Sequence, residues 1–137
     1  MAEGVFRSRA KKLGLAIEFD SCGTGGWHAG ESPDKRAQAC MLKHGDDISD
    51  LRARQFQLDD FDRFDVIYTM DVSNFNNVIS LAQSDLNRNK VKLLLNELQP
   101  NQNQSVPDPY FGDGDGFEHV YDLLSRSAIK ILKPSEV

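Results

Sequence analysis

Apolar positions along the chain recur in two rhythms, one helical and one strand-like, and their alternation sketches the fold. Ala2, Val5, Phe6, Ala10 and Leu13 fall at helical spacing, with Arg7, Arg9, Lys11 and Lys12 on the opposite face. Gly14 stops this helix by supplying a left-handed residue just past its end. No Ser, Thr, Asp or Asn precedes it as a cap, so the chain opens inside a helix. Residues 15–19 (LAIEF) read as a short strand and 20–26 (DSCGTGG) as a loop. Ser32-Pro33-Asp34 predicts a helix start, with Ser32 capping, Pro33 in the first position and Asp34 at the positive end. Ala37, Cys40 and Met41 then face inward and Gly45 closes the helix. Residues 65–70 (DVIYTM) read as a buried strand. Asp71 caps a helix whose stripe is Phe75, Val78, Ile79 and Ala82. Residues 91–95 (VKLLL) read as a third strand, 96–108 as a polar loop, and 115–132 as the last helix. Asp115 and Glu118 are spaced as a capping box there, and the apolar stripe is Phe117, Val120, Tyr121, Leu124, Ala128 and Ile131.

Strands alternating with helices predict an α/β fold, a three-layer α/β/α arrangement around a parallel sheet. At 137 residues the chain is expected to form a single domain over 1–137. Hydrophobic residues at 39% and charged residues at 27% exclude a disordered or collagen-like chain. The balance of 16 Lys+Arg against 21 Asp+Glu, a net charge of −5, argues against a nucleic-acid binder. No apolar run approaches the roughly 18 residues that span a bilayer, and the first residues lack a secretory apolar core. Cys22 and Cys40 do not make a disulfide framework. Free thiols in a reducing cytoplasm are expected, with no membrane partner.

Two stretches carry chemistry. In Val106-Pro107-Asp108-Pro109-Tyr110-Phe111-Gly112, prolines on both sides of Asp108 fix two φ angles and push Asp108 toward an extended conformation. Such a loop aims its carboxyl group at little entropic cost, and two aromatics beside it suit a flat ligand. The same pattern also describes a rigid surface turn whose aromatics cover the core. Asp20-Ser21-Cys22-Gly23-Thr24-Gly25-Gly26-Trp27-His28 follows a predicted strand, and ligands of open α/β sheets collect at the carboxyl ends of strands. It is not a G-x-G-x-x-G dinucleotide loop, and a wide turn with a packed Trp is the plainer alternative. His44 reads as a helix C-terminal residue facing the dipole, His119 as solvated, and Asp59, Asp60 and Asp62 as a solvent-facing charged loop or short helix start.

Taken together, MAEGVFR at the start, DSCGTGGWHAGESPDKRAQ, HG with IS and RARQ in the middle, YTMDVSN, and VPDPYFGDGDGFEHVYDL near the end resemble the low-molecular-weight protein-tyrosine phosphatases. The resemblance runs over essentially the whole chain. It implies a four-stranded parallel sheet with flanking helices and hydrolysis of phosphomonoesters through a cysteinyl-phosphate intermediate. Asp108 is then the general acid that protonates the leaving phenol oxygen. Trp27 and Tyr110 match positions flanking the substrate ring, and Phe111 stands where many relatives carry a second Tyr. Ser21 matches a residue that supports the phosphate loop by hydrogen bonding, while Leu51 occupies a place where many relatives have a His.

The resemblance also implies a first, central strand leading into a C-x-x-x-x-x-R-S phosphate loop ahead of MAEGVFR, and these residues contain neither. The chain is therefore expected to be an N-terminally truncated form, as a start assigned to the wrong Met would produce, and inactive as written. The position six beyond Cys22 is His28 and that beyond Cys40 is Asp46, so neither thiol has the Arg it would need. A phosphotyrosine-containing protein or small aryl phosphate is the implied substrate. Self-association is expected through strand edges left open. A catalytically dead binding module and an arsenate reductase of the same fold are the other readings. No cofactor and no metal site is expected.

Overall fold

The computed structural model describes residues 1–26, 29–107 and 116–133. In chain order it contains α1 (Ala2–Leu13), α2 (Lys35–Lys43), α3 (Asp60–Arg63), β1 (Ile67–Thr69), α4 (Val72–Leu81), α5 (Asp85–Lys90), β2 (Val91–Leu93) and α6 (Gly116–Ile131). β2 runs directly into a 3-10 turn, Leu94–Glu97.

The helices end and begin where local chemistry requires. Gly14 takes φ 69°, and its amide turns back to the carbonyls of Ala10 and Lys11 at the end of α1. Nothing crowds a side chain there, so Gly14→Ala is expected to cost only the left-handed backbone, about 1 kcal/mol. A matching drop in urea midpoint at unchanged m-value checks it. Asp71 caps α4 by accepting from Asn74 N at 2.6 Å. The cap of α2 is Asp34, not Ser32: the Asp34 carboxylate accepts from Arg36 N at 2.8 Å. The cap must directly precede the first helical residue, and helical geometry begins only at Lys35, two positions later than the Ser-Pro pair suggests. α5, capped by Ser84 on Asn87 N, has no buried residue and so no apolar period by which to recognise it.

β1 and β2 pair in parallel, Ile67 with Val91, Tyr68 with Lys92 and Thr69 with Leu93. Buried Thr69 donates its hydroxyl to the Lys92 carbonyl at 3.0 Å. Both strands are shorter than the apolar runs that announce them, because the ladder ends at Leu93 and the 3-10 turn follows.

The expected strand at 15–19 is not formed. Its residues are not helical, but among the described residues no ladder partner lies beside them. A strand exists only through its neighbour, and apolar content alone cannot supply one. Leu15 and Phe19 still pack on the core, Phe19 with its ring 6.1 Å from Phe6, while Ile17 is exposed. The nearby strand-like pairing is one isolated parallel bridge between Gly23 and Gln55.

Alternation along β1 divides the core. Ile67 packs with Phe56, Phe61, Val78 and Val91 under α4. Tyr68 joins the larger cluster, where Val5, Phe6 and Ala10 of α1 meet Leu94 and Val120, Leu124 and Ala128 of α6. The sheet thus lies between an α4 layer and an α1–α6 layer, the α/β/α arrangement that the order of elements predicts. Leu51 is half-buried against the larger cluster. Among the described residues no helix is long and apolar enough to cross a membrane.

Candidate functional site

The site is built on the first turn of α1. Glu3 is buried there, and its Oε2 lies 2.7 Å from Arg7 Nη2 one turn on. Its Oε1 accepts from Ser21 Oγ at 2.8 Å, which ties the 20–26 loop to the N-terminal end of the helix. Arg7 in turn donates to the Phe19 carbonyl at 3.1 Å. An N-terminal helix turn carries free amides and the positive end of the dipole. Ser21 holds the loop beside it.

The rest of that loop is zipped to residues 53–56. Gly23 N donates to the Arg54 carbonyl at 2.9 Å, and Phe56 N to the Gly23 carbonyl at 2.7 Å. Gly30 N donates to Ala53 O at 2.7 Å, and Ala53 N to Glu31 O at 2.8 Å. Gly26 lets the loop lie close to Gln55, whose Oε1 would stand 2.8 Å from a Cβ there and would have to swing aside. Gln55 Nε2 donates to the Thr24 carbonyl at 3.2 Å from the same side.

Arg54 is the electrostatic centre of this frame. Its guanidinium donates to both oxygens of Asp60, at 2.9 and 3.0 Å, and to Asp20 Oδ2 at 3.1 Å. Asp60 is only 3% exposed, so its expected place in a solvated acidic run is wrong. Burial works against its charge, but the Arg54 fork and the Gln57 amide outweigh burial and hold the carboxyl below its usual range. Sequence reading missed this pair, and the available signal was an Arg within RARQ, one of the stretches that carry the resemblance.

Neither thiol is set up as a nucleophile. Cys22 is at the surface, yet desolvation within its crowded loop pushes its pKa up to about 11, against the pull of Arg54. Cys40 is buried, and burial followed by the adjacent Glu118 carboxylate raises its thiol as well.

Asp108, Trp27, Tyr110 and Phe111 lie outside the described residues, as does Asp115 of the expected capping box. The chain approaches Asp108 from the end of β1, where Val106 N donates to the Met70 carbonyl at 2.7 Å. The expected capping box of Asp115 with Glu118 lies partly outside the described residues; Glu118 crosses to α2, with Oε2 2.8 Å from His44 Nε2 and Oε1 accepting from Cys40 Sγ at 3.5 Å. His44 follows the last residue of α2, as expected, and its ring stacks on Tyr121 at 3.6 Å. His119 is exposed.

Fold and loops define an α/β/α protein whose candidate site lies at the start of α1 and beyond the carboxyl end of β1. The chain matches the family described as low molecular weight phosphotyrosine protein phosphatase over residues 1–136, and it belongs to that family. A low molecular weight phosphotyrosine protein phosphatase of Schizosaccharomyces pombe is 42% identical over 136 residues, covering 97% of this chain and 86% of that protein. A low molecular weight protein-tyrosine-phosphatase of Streptomyces coelicolor is 38% identical, covering 96% and 82%. Among solved structures, YfkJ from Bacillus subtilis superposes with a TM-score of 0.85 at 35% identity, covering 95% of this chain and 81% of that one. A protein tyrosine phosphatase from Entamoeba histolytica, with Hepes in its active site, gives 0.87 at 26% identity, covering 95% and 83%.

Proposed function

We propose that these residues form the acid, substrate-wall and loop-supporting parts of a phosphotyrosine phosphatase acting on phosphotyrosine proteins or small aryl phosphates. Asp108 serves as general acid, Trp27, Tyr110 and Phe111 flank the substrate ring, and Ser21 steadies the phosphate loop. The observation that carries this reading is the Ser21–Glu3 hydrogen bond. It fastens the loop leading to Trp27 onto the helix turn that, in the family, follows the phosphate loop. Supporting it, the chain departs toward Asp108 from the end of β1, where ligands of parallel sheets gather.

The nucleophile is not among these 137 residues. No Arg stands six positions beyond either cysteine, and both thiols are held protonated at neutral pH. The 137-residue polypeptide by itself is therefore expected to give no turnover of p-nitrophenyl phosphate above background. Hydrolysis that iodoacetamide abolishes would refute this. The raised thiols favour one second reading for the polypeptide alone, a phosphatase-like binding module. Arsenate reduction gains nothing from two protonated thiols on separate elements.

A further inference from the structure

We propose that Cys40, His44 and Glu118 form a divalent-metal site at the seam between α2 and α6, with zinc as the ion its donors suit. Cys40 and His44 stand one helical turn apart and so project from the same face at the end of α2. Glu118 meets them from the first turn of α6. The three ligand atoms all lie within 4.8 Å of one another. Individually, the carboxylate oxygens are 2.8 Å from His44 Nε2 and 3.5 Å from Cys40 Sγ. A tetrahedral zinc with bonds of about 2.0–2.3 Å has ligand–ligand edges of about 3.3–3.6 Å, so the cluster needs only small side-chain adjustments to close.

The donors are also held from behind. The His44 ring lies flat on Tyr121, 3.6 Å away and 8° from parallel, which fixes the plane in which Nε2 can ligate. The His44 amide donates to the Met41 carbonyl at 3.0 Å, which fixes its backbone. Cys40 is 4% exposed and packs beside Ala37 and Phe117, giving the sulfur an apolar back wall. The His44 and Glu118 side chains remain 33% and 42% exposed, leaving an approach for the ion and a fourth position for water. One thiolate, one imidazole and one carboxylate suit zinc better than magnesium or calcium, which require oxygen donors.

Binding converts the Cys40 thiol to a zinc thiolate and releases its proton to solvent. The His44 proton that faces Glu118 passes from Nε2 to Nδ1 so that Nε2 can ligate, and Glu118 exchanges its hydrogen bonds for the metal. With thiolate and carboxylate the bound dication is neutralised. The loaded site then carries no net charge beside the Lys43 ammonium, whose charge acts on both Cys40 and Glu118.

The test is calorimetric titration of the chelator-stripped 137-residue protein with zinc, paralleled by cobalt(II) absorption. The expected result is one zinc per chain, one proton released, and a cobalt–thiolate charge-transfer band. Cys40→Ser should abolish the band. His44→Ala and Glu118→Gln, at partly exposed positions the fold tolerates, should each weaken zinc binding by about tenfold or more. Cys22→Ser should leave both signals unchanged. Absence of stoichiometric binding, binding that survives Glu118→Gln and His44→Ala, or a band lost with Cys22→Ser would each overturn the proposal.

Discussion

Asp108→Asn is expected to slow hydrolysis of aryl phosphates with poor leaving groups by about 10²–10⁴-fold, in an extended protein carrying an added C-x-x-x-x-x-R-S segment ahead of Met1. At 1.36 kcal/mol per tenfold, this is about 2.7–5.5 kcal/mol of transition-state stabilisation. A tyrosine leaving group has a pKa near 10 and departs slowly as the bare phenolate, so a proton delivered in the transition state matters. Electron-poor phenols depart without that help, and for them the same substitution should cost little. Prolines on both sides of Asp108 are expected to limit the entropy lost in aiming one carboxyl group. A bound phosphate would also raise the pKa of the acid and keep it protonated until needed. The measurement is kcat/KM across a leaving-group series for both proteins. A steeper dependence on phenol pKa in the variant supports the general acid, whereas equal slowing across the series excludes it.

The parts of the fold written in local chemistry were readable, and those written in distant contacts were not. α1, α4 and α6 carry apolar stripes that appear in the core clusters as read, and Gly14, by its left-handed backbone, and Asp71, by its carboxylate, end and begin helices where expected. α5 has one apolar residue, Leu86, and it is exposed, so the helix rests on the Ser84 cap and on its place before β2. The apolar run at 15–19 announces burial, and Leu15 and Phe19 are indeed packed, but pairing depends on a neighbour that no local pattern encodes. Charge misleads in the same way. Asp60 shares a run with Asp59 and Asp62, yet only Asp60 meets the Arg54 fork. The contacts of Glu118 reach residues 74 and 78 positions away, across a seam that no local spacing announces. In the candidate site, Ser21 stands out through resemblance, but nothing in the local pattern sets its partner Glu3 apart from any other polar position of α1.

Arg54→Met is expected to destabilise the protein by about 3–5 kcal/mol at neutral pH, the cost of leaving a buried carboxylate without its cation. Asp60 accepts from two guanidinium nitrogens and from the Gln57 amide, and the substitution removes the two charged donors. The main-chain hydrogen bonds joining 53–56 to the 20–31 loop survive, so the loss falls on the Arg54 contacts with Asp60 and, at a more exposed position, Asp20. Acid titration separates this account from a simple packing defect. In the parent the folded Asp60 pKa is depressed. Its contribution is therefore present above the unfolded value of about 3.9 and lost as pH falls through the lower folded value. In the variant, burial without Arg54 raises the folded pKa, so the penalty is present at neutral pH and relieved on acidification. The gap between the two proteins should therefore be widest near pH 7 and narrow below about pH 4. Asp60→Leu added to Arg54→Met should recover part of the loss, since an apolar side chain of similar volume carries no unpaired charge into the core. Urea midpoints at both pH values provide the comparison. A gap independent of pH would mean that Arg54 acts by packing its aliphatic stem rather than by neutralising Asp60.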